Sequence, residues 1–258
     1  MRVIFLAFVL LLLVLAPSVT PYDPMATGAS AAQLPSGVHL LGTDALGRDL
    51  LSRVMDGGWR TAFSAAAATI LTLMLGVALG ILEAFAPTVL AFSARALNDA
   101  LLSLPGWLIA LVVIAGTGQG WVAIIVAVAL AQTAMTAKFT TGLVRQVQHE
   151  SYFEASVALG SSASGLLRRV IVPNALPALA SFSVFLFTNS ILYGAGLSFL
   201  GLSGDLGTPE WGILIAEGRL IARQNIWAVI APGLALIGLV WSVRGTVDDA
   251  LSPRGSVY

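Results

Sequence analysis

Six apolar runs, near Val3–Val19, Ala62–Ala84, Ala91–Ala115, Trp121–Ala137, Leu176–Leu200 and Ile226–Val243, divide this 258-residue chain. A helix needs roughly 20 apolar residues to cross the hydrocarbon core of a bilayer, so the runs take up most of the length and leave no room for an added soluble domain. Composition agrees, with 57% apolar residues, 10% charged residues and a mean hydropathy of +0.91, all outside the soluble norm. The expected fold is an all-α membrane protein of about six transmembrane helices. A formal charge of +0 offers no basic face for nucleic acid. The absence of cysteine removes disulfides, thiolate metal sites and cysteine nucleophiles.

The first run follows Arg2 and fits two readings, a signal peptide or an uncleaved anchor. The residues after it, Ala16-Pro-Ser-Val-Thr-Pro, lack a small-x-small cleavage site before a polar start, which favours the anchor. With a cytoplasmic amino terminus, Arg2, Arg95, Lys138, Arg145, Arg168, Arg169, Arg244 and Arg254 lie inside, against Arg48, Arg53, Arg60, Arg219 and Arg223 outside. This excess agrees with the positive-inside rule and puts both termini in the cytoplasm. The chain then reads as one permeation domain, 1–258. It has a first span at 1–20, an external segment at 21–60, a core bundle at 61–245 containing a cytoplasmic loop at 138–175, and a cytoplasmic tail at 246–258. Within the external segment, Leu46-Gly-Arg-Asp-Leu-Leu-Ser-Arg-Val-Met predicts an amphipathic helix. It would lie on the membrane surface, serving either as a partner contact or as a plain connector with Asp49 and Arg53 at i,i+4. The stretch Gly201–Asn225 reads as an external loop.

The polar segment Glu154–Pro177 interrupts the apolar pattern. Glu150–Leu159 favours helix on propensity, Gly160 permits a reversal at positive φ, and Ser161–Arg169 can form a second short helix. The result is a helix-turn-helix knob on the cytoplasmic side. Pro173 and Pro177 restrict the backbone beyond it, with Pro177 expected in the first turn of the fifth span, where its missing N–H has no intrahelical use. A knob joined stiffly to a membrane helix can transmit force. An ordinary loop in which Arg168 and Arg169 only satisfy charge topology is the plainer reading.

The spacing Glu154-Ala-Ser-x3-Gly160-x9-Val170-x-Val172-Pro173 resembles the EAA loop of permease subunits in bacterial ABC importers, written E-A-A-x3-G-x9-I-x-L-P. Three further segments, Leu41-Gly-Thr-Asp-Ala-Leu-Gly-Arg-Asp-Leu-Leu-Ser-Arg53, Leu197-Ser-Phe-Leu-Gly-Leu202 and Pro209-Glu-Trp-Gly212, look like the second permease subunit of the dipeptide, oligopeptide and nickel importers. The resemblance runs from about residue 22 to the tail. It departs at Trp241-Ser-Val-Arg-Gly-Thr-Val-Asp-Asp-Ala-Leu-Ser-Pro-Arg254, where the family has N-x-x-G-D-x-L-R-D-x-L-D-P-R.

The resemblance implies a type I ABC importer permease fold in a bacterial cytoplasmic membrane. It implies as partners a homologous second permease, two ABC ATPase subunits and an extracytoplasmic solute-binding protein. In such importers the loop is a coupling helix seated in a groove of the ATPase, which assigns coupling here to Glu154, Ala155, Ser156 and Gly160, with Val170, Val172 and Pro173 behind. Ser161, Ser162, Ala163, Ser164 and Gly165 would form the contact surface. ATP and Mg²⁺ are expected in the partner ATPases, with no cofactor or metal in this chain. A phosphate-binding loop ends Gly-Lys-Ser/Thr, whereas the only lysine here, Lys138, follows Ala137. The family leaves dipeptides, longer peptides, nickel, metal chelates and glutathione-like solutes open as substrate.

Within the spans, Gly76 and Gly80 form a GxxxG motif beside Ala67, Ala68 and Ala78, which lets another helix approach closely. Pro105 should kink the third run, either to shape a pathway or to relieve packing. Arg95 and Asp99, at i,i+4, can neutralise each other near a helix end. Two other classes compete. An ion-gradient transporter or channel predicts buried ionisable groups and inverted repeats, neither of which is evident. An intramembrane serine protease is suggested by Gly201-Leu-Ser-Gly204, but it needs a histidine near Ser203, and His39 and His149 both fall in polar segments.

Overall fold

The computed structural model describes residues 18–204 and 207–251, with side chains as far as Val243. The first apolar run lies outside these residues but for Ser18 and Val19, and the tail beyond Leu251 lies outside them as well. The described chain is helical: α1 Leu50–Phe85, α2 Thr88–Leu102, α3 Gly106–Thr117, α4 Trp121–Gln148, α5 Ser151–Ala158, α6 Ala163–Leu166, a π-helical turn Leu167–Ile171, α7 Val172–Phe199, α8 Trp211–Ile221 and α9 Trp227–Leu251. Among the described residues three helices are long and apolar enough to cross a membrane, Leu50–Phe85, Trp121–Gln148 and Ala163–Phe199.

Several elements differ from the sequence expectation. The stretch Leu46–Met55 forms no separate surface helix, because Leu50 opens a helix that continues unbroken for 36 residues. Asp49 caps its start, accepting from Ser52 N at 2.8 Å and from Ser52 Oγ at 2.7 Å, which satisfies a first-turn donor. The third run breaks instead of kinking, with α2 and α3 meeting at 97°. Proline disfavours helix at the residue before it, so α2 ends ahead of Leu104. Pro105 then opens α3, its carbonyl accepting from Leu108 N at 2.9 Å. The segment read as an external loop contains α8. The fifth span also begins earlier than expected, which puts Pro177 inside α7 and not in its first turn.

The chain divides into two compact units. The first takes the described residues up to Ala67, Ile114–Ile125, and those from Phe187 on; the second takes Ala68–Val113 and Val126–Leu186. Helices α1, α3, α4 and α7 each contribute to both.

The first unit is organised around buried charge. Asp44 accepts from Arg48 Nε at 2.6 Å and from Arg53 Nη1, while Glu217 on α8 accepts from Arg53 Nη1 at 2.7 Å and Arg48 Nη2 at 3.2 Å. Burial pushes the Asp44 carboxyl upward, but hydrogen bonds from the Arg48 backbone and side chain and the Leu46 N–H, with the charge of Arg53, outweigh it and hold the group below its usual value. Arg53 therefore does not pair with Asp49 as the i,i+4 spacing suggested, since Asp49 faces His39 Nδ1 at 2.9 Å. Asn225 fastens the external segment, its Nδ2 donating to Gln33 O at 2.9 Å and Leu41 O at 3.1 Å. Trp211 ties α8 to α1 through its N–H to Thr61 Oγ1 at 3.2 Å and its Nε1 to Val54 O at 2.8 Å.

In the second unit α1 and α4 approach closely. A Cβ on Gly80 would fall 2.6 Å from Thr140 Cβ, and one on Gly76 would fall 2.6 Å from Thr136 Cγ2. The glycines leave room for threonines, which turn their hydroxyls to backbone: Thr140 Oγ1 donates to Thr136 O at 2.9 Å, and Thr141 Oγ1 crosses to Gly80 O at 3.2 Å. In lipid such bonds and close van der Waals contact hold helices together, because apolar burial there gains little. The pair Arg95 and Asp99 is not formed. Arg95 Nε lies 3.9 Å from Glu83, and Lys138 Nζ lies 3.8 Å from Asp99. Buried Glu83 also accepts from Asn98 Nδ2 at 3.1 Å.

Candidate functional site

The second unit carries the segment singled out by the sequence. After α4, Glu150 takes an extended conformation (φ −85°, ψ 143°) and α5 begins. None of the eight residues of α5 is buried. At its end Gly160 adopts φ +78° with no atom within 4 Å of where a Cβ would stand. The requirement for glycine there is thus one of backbone conformation and not of space. Ser162 then caps α6, its hydroxyl accepting from Gly165 N at 3.2 Å.

From Ala163 the chain is helical through Phe199, a continuous 37 residues. Two prolines sit inside this length. Pro173 has no N–H to offer the carbonyl of Arg169, and a proline ring crowds the carbonyl four residues before it. The π-helical turn Leu167–Ile171 lies immediately upstream and widens the helix there, with Val172 N bonding back to Leu167 O. Such insertions relieve a proline without breaking the helix. Asn174 Nδ2 supplies a donor to Val170 O at 2.7 Å. The sequence expected a second short helix at Ser161–Arg169, with Pro173 and Pro177 restricting the backbone between it and the fifth span. The structure instead joins the knob to α7 with no loop between.

The knob is seated by apolar packing. Val144, Val147 and Ile171 form a buried cluster, against which Ile81, Ala84, Phe85, Phe153, Leu167 and Val170 pack. Phe153 is the side chain of α5 that turns inward to this cluster. Other apolar side chains of the knob are open: Tyr152 is 42% exposed, Val157 50% and Leu159 88%. Among the predicted residues, Glu154, Ala155, Ser161, Ser162, Ala163 and Ser164 are exposed. Ser156 is half-buried, its hydroxyl donating to Tyr152 O at 2.8 Å. Gly165 and Val170 are half-buried, whereas Val172 and Pro173 are exposed. The apolar members Tyr152, Val157 and Leu159 were missed by reasoning from the motif, although their spacing along α5 was visible. Arg168 and Arg169 are exposed as well.

Within the knob Ser162 is engaged as a cap. The competing motif lies at Gly201–Gly204. Ser203 Oγ has no hydrogen-bond partner among the described residues, and His39 is paired with Asp49. Among the described residues no group of three or more His, Asp or Glu side chains is placed to hold a metal. What the arrangement offers is an exposed, part-apolar, rigidly mounted surface, suited to docking another protein.

The chain is similar to known proteins. Residues 73–254 match the family model described as the binding-protein-dependent transport system inner membrane component. The chain is 31% identical over 261 residues to the di/tripeptide transport system permease protein DppC of Pseudomonas aeruginosa, covering 97% of this chain and 86% of that one. It is 31% identical over 227 residues to the glutathione transport system permease protein GsiD of Pectobacterium atrosepticum, covering 85% and 74%. Its fold is similar to that of the inward-facing MetNI methionine ABC transporter, with a TM-score of 0.65, 20% identity, and 77% and 94% of the two chains covered. The chain therefore belongs to the binding-protein-dependent transport system inner membrane component family and is a multi-pass inner-membrane permease subunit of an ABC importer.

Proposed function

We propose that this chain forms half of the translocation pathway of an importer for short peptides or a closely related solute, and that its α5–α6 knob docks in a groove of a separate ATPase subunit. The other half is a homologous permease, and solute arrives from an extracytoplasmic binding protein. Two ATPase subunits hold ATP and Mg²⁺. Both termini lie in the cytoplasm, the side on which the knob meets the ATPases. The peptide class is supported by relatives named for di- and tripeptide transport.

The single observation that carries this reading is the continuity of Ala163–Phe199. A force applied to the exposed face of α5 reaches the apolar cluster through Phe153, and from there Ile171 and the rest of α7 without an intervening flexible link. A displacement of the knob by closing ATPases would tilt or shift the membrane helix as a body. Such rigid coupling is what alternating access requires.

The test is to purify the tagged chain from its host in mild detergent, after crosslinking in intact membranes. A second permease and ATPase chains should copurify, with crosslinks from α5 and Ser161–Gly165 to an ATPase. Recovery of the chain alone, with no ATPase captured, would refute the proposal.

A further inference from the structure

The first unit contains a cleft of about 220 Å³ lined by Arg60, Trp121, Ser203, Thr208, Glu210 and Ile213, residues with no part in the docking surface. Its walls are fixed. Glu210 Oε1 accepts from Ser198 Oγ at 2.9 Å, and the Glu210 backbone packs so closely on Gly57 that a Cβ there would lie 3.2 Å from its nitrogen. Trp121 is held through its Nε1, which donates to Ser64 Oγ, and its ring stacks on Phe63 with centroids 5.4 Å apart. A ligand would meet preset groups here and would lose little affinity to ordering them.

Two polar groups in these walls lack a hydrogen-bond partner among the described residues, and a third is a buried carboxyl. Ser203 is 3% exposed, and its hydroxyl has no partner among the described residues. Arg60 Nε makes no hydrogen bond and lies 3.8 Å from Asp56 Oδ2. Glu210 is 4% exposed, and burial raises its carboxyl to about 7, against the lowering effects of the Ser198 hydrogen bond and the Arg60 charge. A buried hydroxyl left without a partner is costly, and native proteins seldom leave one without a use.

The charges select the ligand. A simple cation would be drawn to Glu210 and repelled by Arg60, and a simple anion would meet the reverse. A molecule with both signs satisfies both residues. We propose that this cleft binds the zwitterionic end groups of a small α-amino acid or dipeptide, its ammonium against Glu210 and Ser203 and its carboxylate against Arg60. The volume falls below the ~300–1,000 Å³ of drug-sized sites, which excludes long peptides. The assignment rests on the importer reading above, and it gives this chain a solute contact of its own beside that of the binding protein.

The test uses the purified complex with its ATPases in lipid nanodiscs, without the external binding protein. It is titrated calorimetrically with L-alanyl-L-alanine, N-acetyl-L-alanyl-L-alanine, L-alanyl-L-alaninamide and ethylamine. The free dipeptide is expected to bind, either blocked form to bind about tenfold or more weakly, and ethylamine not to saturate. Loss of one charge-assisted hydrogen bond has that scale. Glu210→Gln and Ser203→Ala should each weaken dipeptide binding similarly while keeping the thermal melt and copurifying ATPases. Equal binding of the blocked forms or of ethylamine, unchanged affinity in Ser203→Ala and Glu210→Gln, or no dipeptide binding at all would overturn the proposal. Because ligand blocking is read on the unaltered complex, a variant that fails to fold does not decide the matter. Failure of these titrations in a complex that still holds its ATPases sinks the cleft alone, whereas absence of ATPases sinks the importer reading.

Discussion

Arg53 and Glu217 are joined by a 2.7 Å hydrogen bond across 164 positions of sequence, and the arginine side chain that makes it is fully buried. The same guanidinium bonds Asp44, and Arg48 bridges the two carboxylates from the other side. This bond fixes the external segment to α8. Removing one partner of a buried charge cluster leaves the others uncompensated, at about 3–5 kcal/mol. Arg53→Met should therefore destabilise the purified chain by about that amount. Glu217→Gln should cost less, because Glu217 is the more exposed partner and Arg53 keeps Asp44. Thermal melts in nanodiscs check the order, and an equal or reversed ranking would argue against the cluster as the anchor.

The two perturbed carboxyls of the first unit predict opposite pH slopes. Asp44 is held below its ordinary value of 3.8, so its contribution to stability is present above that value and is lost as pH falls further, through the folded-state pKa. Glu210 is raised from 4.5 to about 7, so its contribution is present below 4.5 and is lost as pH rises through 7. The loss is at most about 3 kcal/mol. Melting temperature should decline between pH 5 and 8 in the unaltered chain and decline less in Glu210→Gln. Parallel curves for the two proteins would exclude Glu210 as the source.

The legible and illegible parts of this fold divide by distance along the chain. Apolar runs located α1, α4, α7 and α9 because a span needs a long local stretch, and Glu154-to-Pro173 spacing located the knob because its turn is local too. The partner of Arg53 was not legible, since Glu217 lies on a helix inside what reads as a loop and the nearer Asp49 offered itself at helical spacing. Asp49 was instead committed to capping α1 and to His39. Arg95 and Asp99 misled in the same way: both point toward other helices, to Glu83 and Lys138. Local spacing says which pairs can meet, but packing decides which do.

Gly160 separates conformational from steric demand. With φ at +78° and nothing within 4 Å of a Cβ, any side chain fits in space, and the cost is that of the left-handed backbone, about 1–2 kcal/mol for an ordinary residue. Asparagine visits that region more readily than a β-branched residue. Gly160→Asn should retain most solute-stimulated ATP hydrolysis in the reconstituted complex, while Gly160→Val should insert normally but uncouple hydrolysis from uptake. Equal activity in the two variants would show that the turn is not what matters.

The α1–α4 contact makes a paired prediction. Gly80→Ala places a Cβ against Thr140 Cβ and the Ala137 carbonyl, and overpacking of this kind costs about 1–3 kcal/mol. Thr140→Gly removes one of the two obstacles, taking away both Cβ and Cγ2, so the double variant should recover part of the loss. A double-variant cycle read by thermal melting checks it. Strict additivity would mean that the two residues do not press on each other.

Glu154 and Phe153 are neighbours on α5, the first exposed and the second packed on the apolar cluster, and this separates folding from docking. Were Glu154 to anchor the knob through a charge-assisted hydrogen bond, its loss would cost about 1–3 kcal/mol. The carboxylate is exposed, and the seat is made by Phe153 against Val144, Val147 and Ile171. Glu154→Ala should leave the melt of the isolated chain within about 0.5 kcal/mol of the parent, as an exposed surface substitution does, yet reduce the ATPase recovered with it. Phe153→Ala should lower the melt itself by about 3 kcal/mol or less, the half-buried ring losing part of what a core phenylalanine contributes. Measuring both variants by melt and by copurification gives a crossed pattern if the outer face of α5 docks and the inner face holds. Loss of stability without loss of ATPase in Glu154→Ala would reverse the assignment and return that carboxylate to a structural role.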